Sequence, residues 1–357
     1  MRTAVVILNW NTRDYLGRFL PPLLESLQGL DAGVVVADNA STDGSRELLA
    51  ERFPQVRVLP LAENFGFTGG YNRAFAELLD KAGDSPEYLV LLNSDIEVPA
   101  GWLEPLVDWM DAHPDYAACG PKLHALLPDG DGYRRTDRFE YAGAAGGRLD
   151  RYGFPYCRGR VLNRTEMDTG QYDRPADVLW VTGACLLVRT RCWRELGGLD
   201  ARFFAHMEEI DWCWRAWLAG WRVGVVPQSC VWHLGGGTLP PASPFKLKLN
   251  FRNGLLLMEN NLPATVGAGC ARRRIRTRKI LDCCAAIVYL LSGKTANARA
   301  VRDAHREYRQ LRQEPPARPA PVSGAAPAGY SGIRILLQAA LRGEKIFKYL
   351  RRYEDSH

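Results

Sequence analysis

Short apolar runs alternate with amphipathic segments over the first 125 residues of the chain. The apolar runs predict strands at 3–10, 33–39, 56–61, 88–95 and 117–124. The segments between them have the apolar spacing of surface helices, at 14–28, 42–53, 70–82 and 100–112. Strand–helix alternation with short connections predicts an α/β fold with a mainly parallel sheet flanked by helices.

The pattern changes after residue 125. Residues 126–176 are rich in Gly, Asp and Arg with weak periodicity, which predicts a long irregular excursion. A strand at 178–189, a helix at 206–219 and a strand at 221–227 follow. Beyond Pro244 the chain becomes helical and basic, with a Pro/Ala/Gly-rich stretch at 313–332 that predicts a flexible linker and a last basic helix at 333–354.

Small polar residues directly follow three of the predicted strands. They are Asn9 and Asn11 after the first strand, Asp38 and Asn39 after the second, and Asn93, Ser94 and Asp95 after the fourth. One interpretation is helix capping, for which Ser41 is also well placed. The other is a ligand site, because the carboxyl ends of parallel strands share one edge of the sheet. Three such ends on one edge favour the site.

Three glycines in ENFGFTGGYN lie between a predicted strand and a predicted helix: Gly66, Gly69 and Gly70. The segment follows the third strand and lacks the G-x-G-x-x-G order, which argues against a dinucleotide-binding loop. Glycine permits the backbone to approach a bound group closely, and it also forms plain turns. Both interpretations stay open at this point.

The segment HMEEID places three carboxylates on one predicted helix, Glu208, Glu209 and Asp211. Arg215 can pair with Asp211 at i,i+4, so a structural or solvated role is one interpretation. Several tryptophans on the same helix favour another, because a carboxylate in aromatic surroundings has a raised pKa that suits a general base. His233 is followed by glycines, and with Asp95 it could form an oxygen and nitrogen site for a divalent ion rather than a buried core histidine.

Composition and charge predict the cellular compartment of the protein and a basic surface on it. The nine cysteines include no C-x-x-C pair, which indicates reduced thiols in a cytoplasmic protein, and neither a secretory signal nor a membrane-spanning apolar stretch is predicted. Residues 270–357 hold 19 Lys and Arg against 7 Asp and Glu, a net charge of +12, while residues 1–269 carry −6. The basic run at 271–279 followed by apolar residues to 292 favours an amphipathic segment on the inner face of an anionic cytoplasmic membrane. The alternatives are a helix packed on the body, or nucleic-acid binding, which the run's lack of aromatics disfavours.

Seven motifs in order resemble family 2 glycosyltransferases, and within them the bacterial rhamnosyltransferase-like branch. They are VVILNWN, VVVADNAS, ENFGFTGGYN, LLNSD, VTGACLLVR, FFAHMEEIDWCWR and VWHLGGGT, spread over about residues 3–260. The resemblance implies a GT-A fold, an inverting mechanism, a nucleoside-diphosphate sugar donor and a divalent cation, Mg²⁺ or Mn²⁺. The branch favours dTDP-rhamnose as the donor, with UDP- or GDP-sugars as alternatives, and a glycan or lipid-linked glycan as the acceptor.

The resemblance also implies a role for each matching residue. Asp95 and His233 would bind the metal, and Asn93 stands where many members have a further Asp. The general base would be Glu209, an Asp in most relatives. Because Glu is one methylene longer, either the acceptor lies slightly further away or Asp211 shares the work. Residues of the donor nucleotide site would be Asn9, Asn11, Asp38, Asn64, Gly66, Gly69, Gly70, Asn72, Asn93 and Ser94. The acceptor side would include Gly183, Ala184 and Glu208.

The implied organisation is a nucleotide-sugar-binding half at 1–125 and an acceptor-binding and catalytic half at 126–245 of one GT-A domain. A helical basic extension at 246–312, the linker at 313–332 and the basic helix at 333–357 follow. Nucleotidyltransferases and dehydrogenases are expected to have a glycine-rich loop after the first strand. This chain lacks such a loop, which argues against both enzyme classes. A catalytically silent glycan-binding protein of the same fold remains the alternative from another class.

Overall fold

The computed structural model describes residues 1–80, 85–235, 243–316 and 327–356. The strands are β1 Thr3–Asn9, β2 Ala32–Asp38, β3 Arg57–Pro60, β4 Tyr88–Leu92, β5 Ile96–Glu97, β6 Tyr116–Asp129, β7 Gly132–Phe139, β8 Gly147–Leu149, β9 Pro155–Cys157, β10 Arg160–Val161, β11 Arg164–Thr165, β12 Ala176–Asp177, β13 Cys185–Arg189 and β14 Arg222–His233. The helices are α1 Arg13–Ser26, α2 Ser45–Arg52, α3 Gly66–Leu79, α4 Glu104–Ala112, α5 Thr190–Leu196, α6 Glu208–Leu218, α7 Pro244–Val266, α8 Ala268–Leu291, α9 Thr295–Leu311, α10 Ile335–Arg342 and α11 Ile346–Asp355.

One large sheet forms the centre of the protein, and within the described residues it has ten strands. Its main order is β12-β14-β6-β13-β4-β1-β2-β3, with β5 paired to β14 and β7 to β6. β1 pairs in parallel with both β2 and β4, and β3 extends the parallel part beyond β2. Every residue of β4 is buried, as expected for a strand that is covered on both faces. The predicted mainly parallel α/β sheet is therefore confirmed.

The irregular excursion predicted at 126–176 is wrong. β6 continues past residue 125 to Asp129 and forms a hairpin with β7, so the two proposed halves of the domain share a strand. A second sheet follows, with four strands in the order β11-β10-β9-β8 among the described residues. These strands are two or three residues long, which is too short to show a two-residue hydrophobic period.

Two further boundaries differ from the prediction. Helix α3 begins at Gly66, so the glycines lie inside the helix rather than in a loop before it. The strand predicted at 178–189 begins only at Cys185. Residues 178–184 lie before it without regular strand structure.

The C-terminal region is helical, as predicted. Helices α7, α8 and α9 pack against one another, and α7 also contacts α6. The last predicted helix is two helices, α10 and α11, and it packs on the four-stranded sheet by apolar contacts that include Phe347, Leu350 and Tyr156. Most of the predicted linker, 317–326, lies outside the described residues. In the part of the chain that the structure describes, no helix has the length and apolar character needed to cross a bilayer.

Candidate functional site

Hydrogen bonds join the carboxyl ends of β1, β2 and β4. The Nδ2 atom of Asn9 donates to Oδ1 of Asp38 at 2.8 Å and to Oγ of Ser41 at 2.9 Å. The hydroxyl of Thr12 donates to Oδ1 of Asn9 at 2.5 Å and lies 2.9 Å from Oγ of Ser94. The three strand ends predicted to share one edge therefore do so. Thr12 was missed because a lone Thr after a strand has no signature of its own.

The network fixes Asp38 in place. Its side chain is 1% exposed, and Oδ2 accepts from the backbone N–H of Ser41 at 3.2 Å and lies 3.7 Å from Nε of Arg46. Ser41 does not cap α2, as had been an alternative, because Asp43 accepts from the backbone N–H of Ser45 at the start of that helix. Asp38 thus brings a negative charge to the sheet edge in a rigid, buried setting.

Asn11 lies beside this network in the left-handed backbone region, with φ of +53°. Its Oδ1 accepts from the backbone N–H of Thr42 at 2.8 Å, which ties the loop after β1 to the loop after β2. Asn39 makes a corresponding link to the start of α3, because its Nδ2 donates to Oδ1 of Asn64 at 2.9 Å. The loops on this edge therefore hold one another in position.

Asp95 and His233 meet because two strands pair. The short strand β5 pairs antiparallel with the end of β14, and the N–H of Leu234 donates to the carbonyl of Asp95 at 3.1 Å. Nε2 of His233 lies 3.2 Å from Oδ1 of Asp95 and 3.5 Å from Nδ2 of Asn93. The capping interpretation of residues 93–95 is wrong, since α4 begins only at Glu104.

Glu140 is a further member of this cluster that the sequence did not indicate. Its Oε2 lies 3.2 Å from Nδ1 of His233, close enough for an ion pair although not aligned for a hydrogen bond. Burial lowers the pKa of His233, but the charges of Asp95 and Glu140 on its two sides outweigh that effect, so its pKa is well above the ordinary value. Glu140 was missed because it follows β7, in the stretch predicted to be irregular.

The distance between Asp95 and His233 fits a shared divalent ion. Two ligands bound at right angles to one ion, each at about 2.1 Å, are separated by about 3 Å, and the observed Nε2–Oδ1 separation is 3.2 Å. Carboxylate oxygen and imidazole nitrogen both suit Mn²⁺ and related ions. Within the described ranges, no group of three or more His, Cys, Asp or Glu is arranged to hold a metal. The protein therefore offers a pair of ligands rather than a complete cage.

Glu208 and Glu209 begin helix α6, and Glu208 is buried while Glu209 is partly buried. In each, Oε2 is enclosed without a hydrogen-bond partner among the described residues. Burial raises the pKa of Glu209 to about 7, although backbone groups, including that of Gly183, oppose the shift. Burial and then the neighbouring Glu209 raise the pKa of Glu208 well above its ordinary value. Such carboxylates can accept a proton near neutral pH.

Asp211 does not share this environment, and the catalytic role predicted for it stays a prediction. The side chain is 0% exposed; Oδ2 accepts from Nε of Arg215 at 2.8 Å. Oδ1 accepts from the side-chain amides of Asn260 and Asn261 at 2.9 and 2.8 Å. Helix α7 supplies both amides and covers this side of α6, a contact that the sequence did not indicate. Asp211 therefore holds α6 against α7.

Gly183 and Ala184 lie between the carboxylates of α6 and the Asp95–His233 pair. The carbonyl of Ala184 accepts from the N–H of Asn93 at 2.9 Å. A Cβ on Gly183 would lie 3.7 Å from Cβ of Glu209 and 3.1 Å from the ring of Phe67. One short turn thus connects the metal-ligand pair, the candidate base and helix α3.

The glycines of α3 do approach other groups closely, but these groups belong to the protein. A Cβ on Gly66, where φ is +69°, would lie 2.6 Å from the Phe204 ring, and one on Gly70 would lie 2.5 Å from Leu8. Gly69 likewise faces Phe65. These glycines let α3 pack against β1 and against the loop before α6. They do not form a plain turn, and their predicted place in the donor site stays a prediction.

Asn72, another predicted donor-site residue, is engaged in the same packing. Its Nδ2 donates to the carbonyl of Leu199 at 2.8 Å, and its Oδ1 accepts from the N–H of Leu199 at 2.9 Å. Both polar groups of the side chain are used on this backbone, so Asn72 joins α3 to the segment before α6. The donor-binding role predicted for Asn72 stays a prediction.

Comparison with known proteins identifies similar chains. The model of the Glycosyl transferase family 2 matches residues 4–167. The N-acetylglucosaminyl-diphospho-decaprenol L-rhamnosyltransferase of Mycobacterium tuberculosis is 32% identical over 241 residues, which cover 64% of this chain and 75% of that protein. The succinoglycan biosynthesis protein ExoA of Rhizobium meliloti is 26% identical over 242 residues, covering 67% of this chain and 65% of its own length.

A solved structure has a similar fold. The crystal structure of GalNAc-T7 with UDP, GalNAc and Mn²⁺ aligns with a TM-score of 0.56 at 19% identity. The alignment covers 73% of this chain, which spans about half of that longer chain, 48%. At this identity the likeness concerns the fold, and it agrees with the GT-A-like arrangement of the large sheet and its helices. Glu209 and His233 lie beyond the residues that the family model matches.

Proposed function

Because this chain belongs to glycosyltransferase family 2, and is a glycosyltransferase that takes its sugar from a nucleotide-sugar donor, we propose that it transfers rhamnose or a similar hexose with inversion. The acceptor is a hydroxyl group of a glycan or a lipid-linked glycan. One observation carries the proposal: a single turn, Gly183–Ala184, contacts Asn93 beside the Asp95–His233 pair and also Glu209, whose Oε2 atom has no hydrogen-bond partner among the described residues.

The donor nucleotide lies along the edge formed by the ends of β1, β2 and β4. Asn9, Asp38 and Ser94 are held there by the hydrogen-bond network, which keeps their polar groups at fixed positions. A preformed polar edge suits recognition of a ribose and a base, since little ordering is required on binding. Because the rhamnosyltransferase of M. tuberculosis covers most of this chain, dTDP-rhamnose is the favoured donor.

Asp95 and His233 would hold a divalent cation. Since the protein supplies only this pair, other ligands would come from the donor diphosphate and from water. When bound, the ion stabilises the negative charge on the departing nucleoside diphosphate. Asn93, beside His233, contributes a neutral amide where a further carboxylate would add charge.

Glu209 acts as the general base. Its carboxylate accepts the proton of the acceptor hydroxyl as the acceptor oxygen bonds to the anomeric carbon of the sugar. The bond from that carbon to the diphosphate breaks, and its electron pair leaves with the nucleoside diphosphate. Attack opposite the leaving group inverts the anomeric centre. Glu208, buried next to Glu209, borders the acceptor side, and burial and the charge of Glu209 raise its own pKa.

The acceptor is presented at a membrane. The name of the M. tuberculosis relative describes an acceptor on a diphospho-decaprenol lipid, which supports a lipid-linked glycan here. We expect peripheral association with the inner face of the cytoplasmic membrane. Helices α10 and α11 bury apolar side chains against the four-stranded sheet, and the basic run at 271–279 on α8 supports the contact.

Thermal unfolding tests the donor and metal sites together. We expect dTDP-rhamnose, or else a UDP- or GDP-sugar, to raise the melting temperature only with Mn²⁺ or Mg²⁺. Asp95→Ala and His233→Ala should remove the response, whereas Asp108→Ala, at an exposed position, should retain it. Donor turnover with a lipid-linked acceptor then separates an enzyme from a silent glycan-binding protein. A metal-independent response, or one unchanged in Asp95→Ala, would contradict the proposed site.

A further inference from the structure

We propose that one side of helix α8 is a membrane-docking surface that recognises anionic lipid headgroups. The inference rests on the proposed function only in that the acceptor is lipid-linked, and it concerns a surface remote in sequence from the transfer site. We define this outer face of α8 by its exposed residues Arg273, Arg276, Ile280, Cys284, Ile287 and Leu291. They recur every three or four residues, so they line one side of the helix over about 27 Å.

The other side of α8 is packed. Ala271, Ile275, Arg278 and Asp282 are buried at intervals of three or four residues, and Nε of Arg278 donates to Asp282 at 2.8 Å. Nη1 of Arg278 also donates to the carbonyl of Gly153 at 3.0 Å, which attaches α8 to the body. The helix is thus fixed by its inner side, and its outer face is left for solvent or for a partner.

The C-terminal half of the outer face is apolar. Ile280, Ile287 and Leu291 are 58%, 54% and 84% exposed, and Val288 and Leu290 beside them are also exposed. These side chains lie at the end of α8, where residues 292–294 turn the chain into α9. Contiguous exposed aliphatic residues of this kind mark interaction sites or membrane contacts rather than ordinary surface.

The N-terminal half is basic. Arg273 and Arg276 of the outer face, and Arg272 next to it, are exposed. None of the three forms an ion pair with any residue that the structure describes. At the apolar end, Lys294 and Arg299 are exposed as well. Residues 268–311 hold 11 Lys and Arg against 3 Asp and Glu, so the surface carries a strong positive potential.

The three acidic residues of helices α8 and α9 do little to offset that positive charge. Asp282 pairs with Arg278, Asp303 with Arg302, and Glu307 with Lys248 of α7. Each carboxylate is therefore engaged by a neighbouring cation, and the exposed arginines of the outer face keep their charge toward solvent.

A bilayer with anionic lipids matches both halves of the face. Aliphatic side chains enter the boundary between headgroups and acyl chains, while arginines bind the phosphates beside them. A second copy of the chain is disfavoured as the occupant, because it would bring two sets of unpaired arginines together. Nucleic acid is disfavoured because the outer face has aliphatic rather than aromatic residues for the bases to stack on.

Vesicle co-sedimentation of the full chain tests the surface, without nucleotide or acceptor. The vesicles are phosphatidylcholine alone, or with about a third phosphatidylglycerol to give an anionic surface. One variant is Ile287→Asp with Leu291→Asp, and the other combines Arg272→Glu, Arg273→Glu and Arg276→Glu. Each has a control with the same change in charge: Leu337→Asp with Leu341→Asp on α10, and Lys345→Glu, Lys348→Glu and Arg352→Glu around α11, all at exposed positions.

We expect binding to anionic vesicles only, a more than tenfold weaker affinity for both α8 variants, and retained affinity for both controls. Circular dichroism melting confirms that each variant is folded, and the nucleotide response, measured without vesicles, reports separately on the transfer site. Equal losses in the α10 and α11 controls would overturn the assignment to α8. The assignment would also be overturned if the unaltered protein does not bind vesicles but self-associates, and the α8 substitutions abolish that self-association.

Discussion

At the scale of single residues, two carboxylates two positions apart on α6 have opposite surroundings. Glu209 has an enclosed oxygen without a partner, whereas Asp211 has three side-chain donors, Arg215, Asn260 and Asn261. A buried carboxylate without partners destabilises the fold when it is ionised, and one with partners stabilises it. The stability of the protein should therefore distinguish the two roles.

We predict that Glu209→Gln lowers the transfer rate by about 10²–10⁴-fold and stabilises the protein above neutral pH. The folded-state pKa of about 7 exceeds the ordinary value of 4.5, so ionising Glu209 costs stability as pH rises from about 4.5 through 7. Removing that charge should recover about 3 kcal/mol at pH 8 and almost nothing at pH 4, where the carboxyl is mostly protonated in both states. Denaturant unfolding at the two pH values measures the difference.

The same pKa sets the pH dependence of activity. A base must be deprotonated to accept the acceptor proton, so the rate of the unaltered enzyme should rise with pH and reach half of its plateau near 7. A rate that is flat from pH 5 to 8, or a Glu209→Gln variant that keeps its activity, would remove Glu209 from the reaction.

For Asp211 we predict the opposite effect on stability. Asp211→Asn keeps the size of the side chain but leaves the guanidinium of Arg215 buried without its counter-charge. Loss of one member of a buried pair costs about 3–5 kcal/mol, measured by denaturant unfolding at pH 8. Activity per folded molecule should change far less than in Glu209→Gln. An equally stable Asp211→Asn enzyme that has lost its activity would instead support the catalytic role that the sequence predicted.

At the scale of elements, the loop before α6 is strained. Phe204 has φ of +64° and ψ of −60°, and the N–H of Ala205 donates to the carbonyl of Phe203 at 2.7 Å, which is a strained γ-turn. His206 and Met207 also have positive φ, both +71°. Each such residue costs about 1–3 kcal/mol and persists only where surrounding contacts enforce it. This loop sets where Glu208 and Glu209 begin their helix.

Helix α7 supplies those contacts. Nδ2 of Asn253 donates to the carbonyls of Phe203, Ala205 and His206 at 3.0, 2.8 and 2.7 Å. Nη2 of Arg252 donates to the carbonyl of Phe203 at 2.6 Å. Asn253 is thus a positioning residue for the carboxylates of α6, although it is more than 40 residues away from them in the sequence.

We predict that Asn253→Asp lowers the transfer rate at least tenfold, because a carboxylate cannot donate to these carbonyls and is repelled by them. Nucleotide affinity should stay within about threefold, since the strand-end network does not contact Asn253. The pH of half-maximal rate should also move, because Glu209 loses its fixed surroundings; a purely structural role would leave that pH unchanged. Gln310→Glu, an exposed amide-to-acid change on α9, is the matched control.

The sequence predicted elements well where the hydrophobic pattern was long and local. β1, β2 and β4 begin within a residue of the predictions, and the strand ends meet as expected. It failed at β8–β11, whose two- and three-residue strands are shorter than any readable period. It did not indicate the partners of Asp211 and Asn72, because these come from elements far away in the chain.

At the scale of the whole molecule, the candidate site combines parts from distant regions. The polar edge comes from the first 95 residues, His233 from the end of β14, and the support of the α6 carboxylates from α7. Glu140 reaches His233 from the hairpin of β6 and β7. Sequence motifs indicated most of these residues. Only the fold shows which of their polar groups bind other parts of the protein.

Helices α10 and α11 cover the four-stranded sheet. Glu354 lies 2.8 Å from Nε of Arg148 and 3.4 Å from Nε of Arg158, so one carboxylate holds two cations of that sheet region. Oδ2 of Asp150 accepts from the N–H of Ile335 at the start of α10. Helices α10 and α11 are therefore a structural part of the protein, joined to the region of the four-stranded sheet.

We predict that Glu354→Ala destabilises this sheet without affecting the donor site. Arg158 is buried, and the loss of its partner should cost about 3 kcal/mol of local stability. Hydrogen exchange should become faster over residues 147–165, while the nucleotide- and metal-dependent rise in melting temperature should persist. Glu344→Ala is the control, because its contact with Arg164 is exposed and should contribute little. Faster exchange over β1, β2 and β4 as well would mean that the C-terminal helices stabilise the whole domain rather than this sheet.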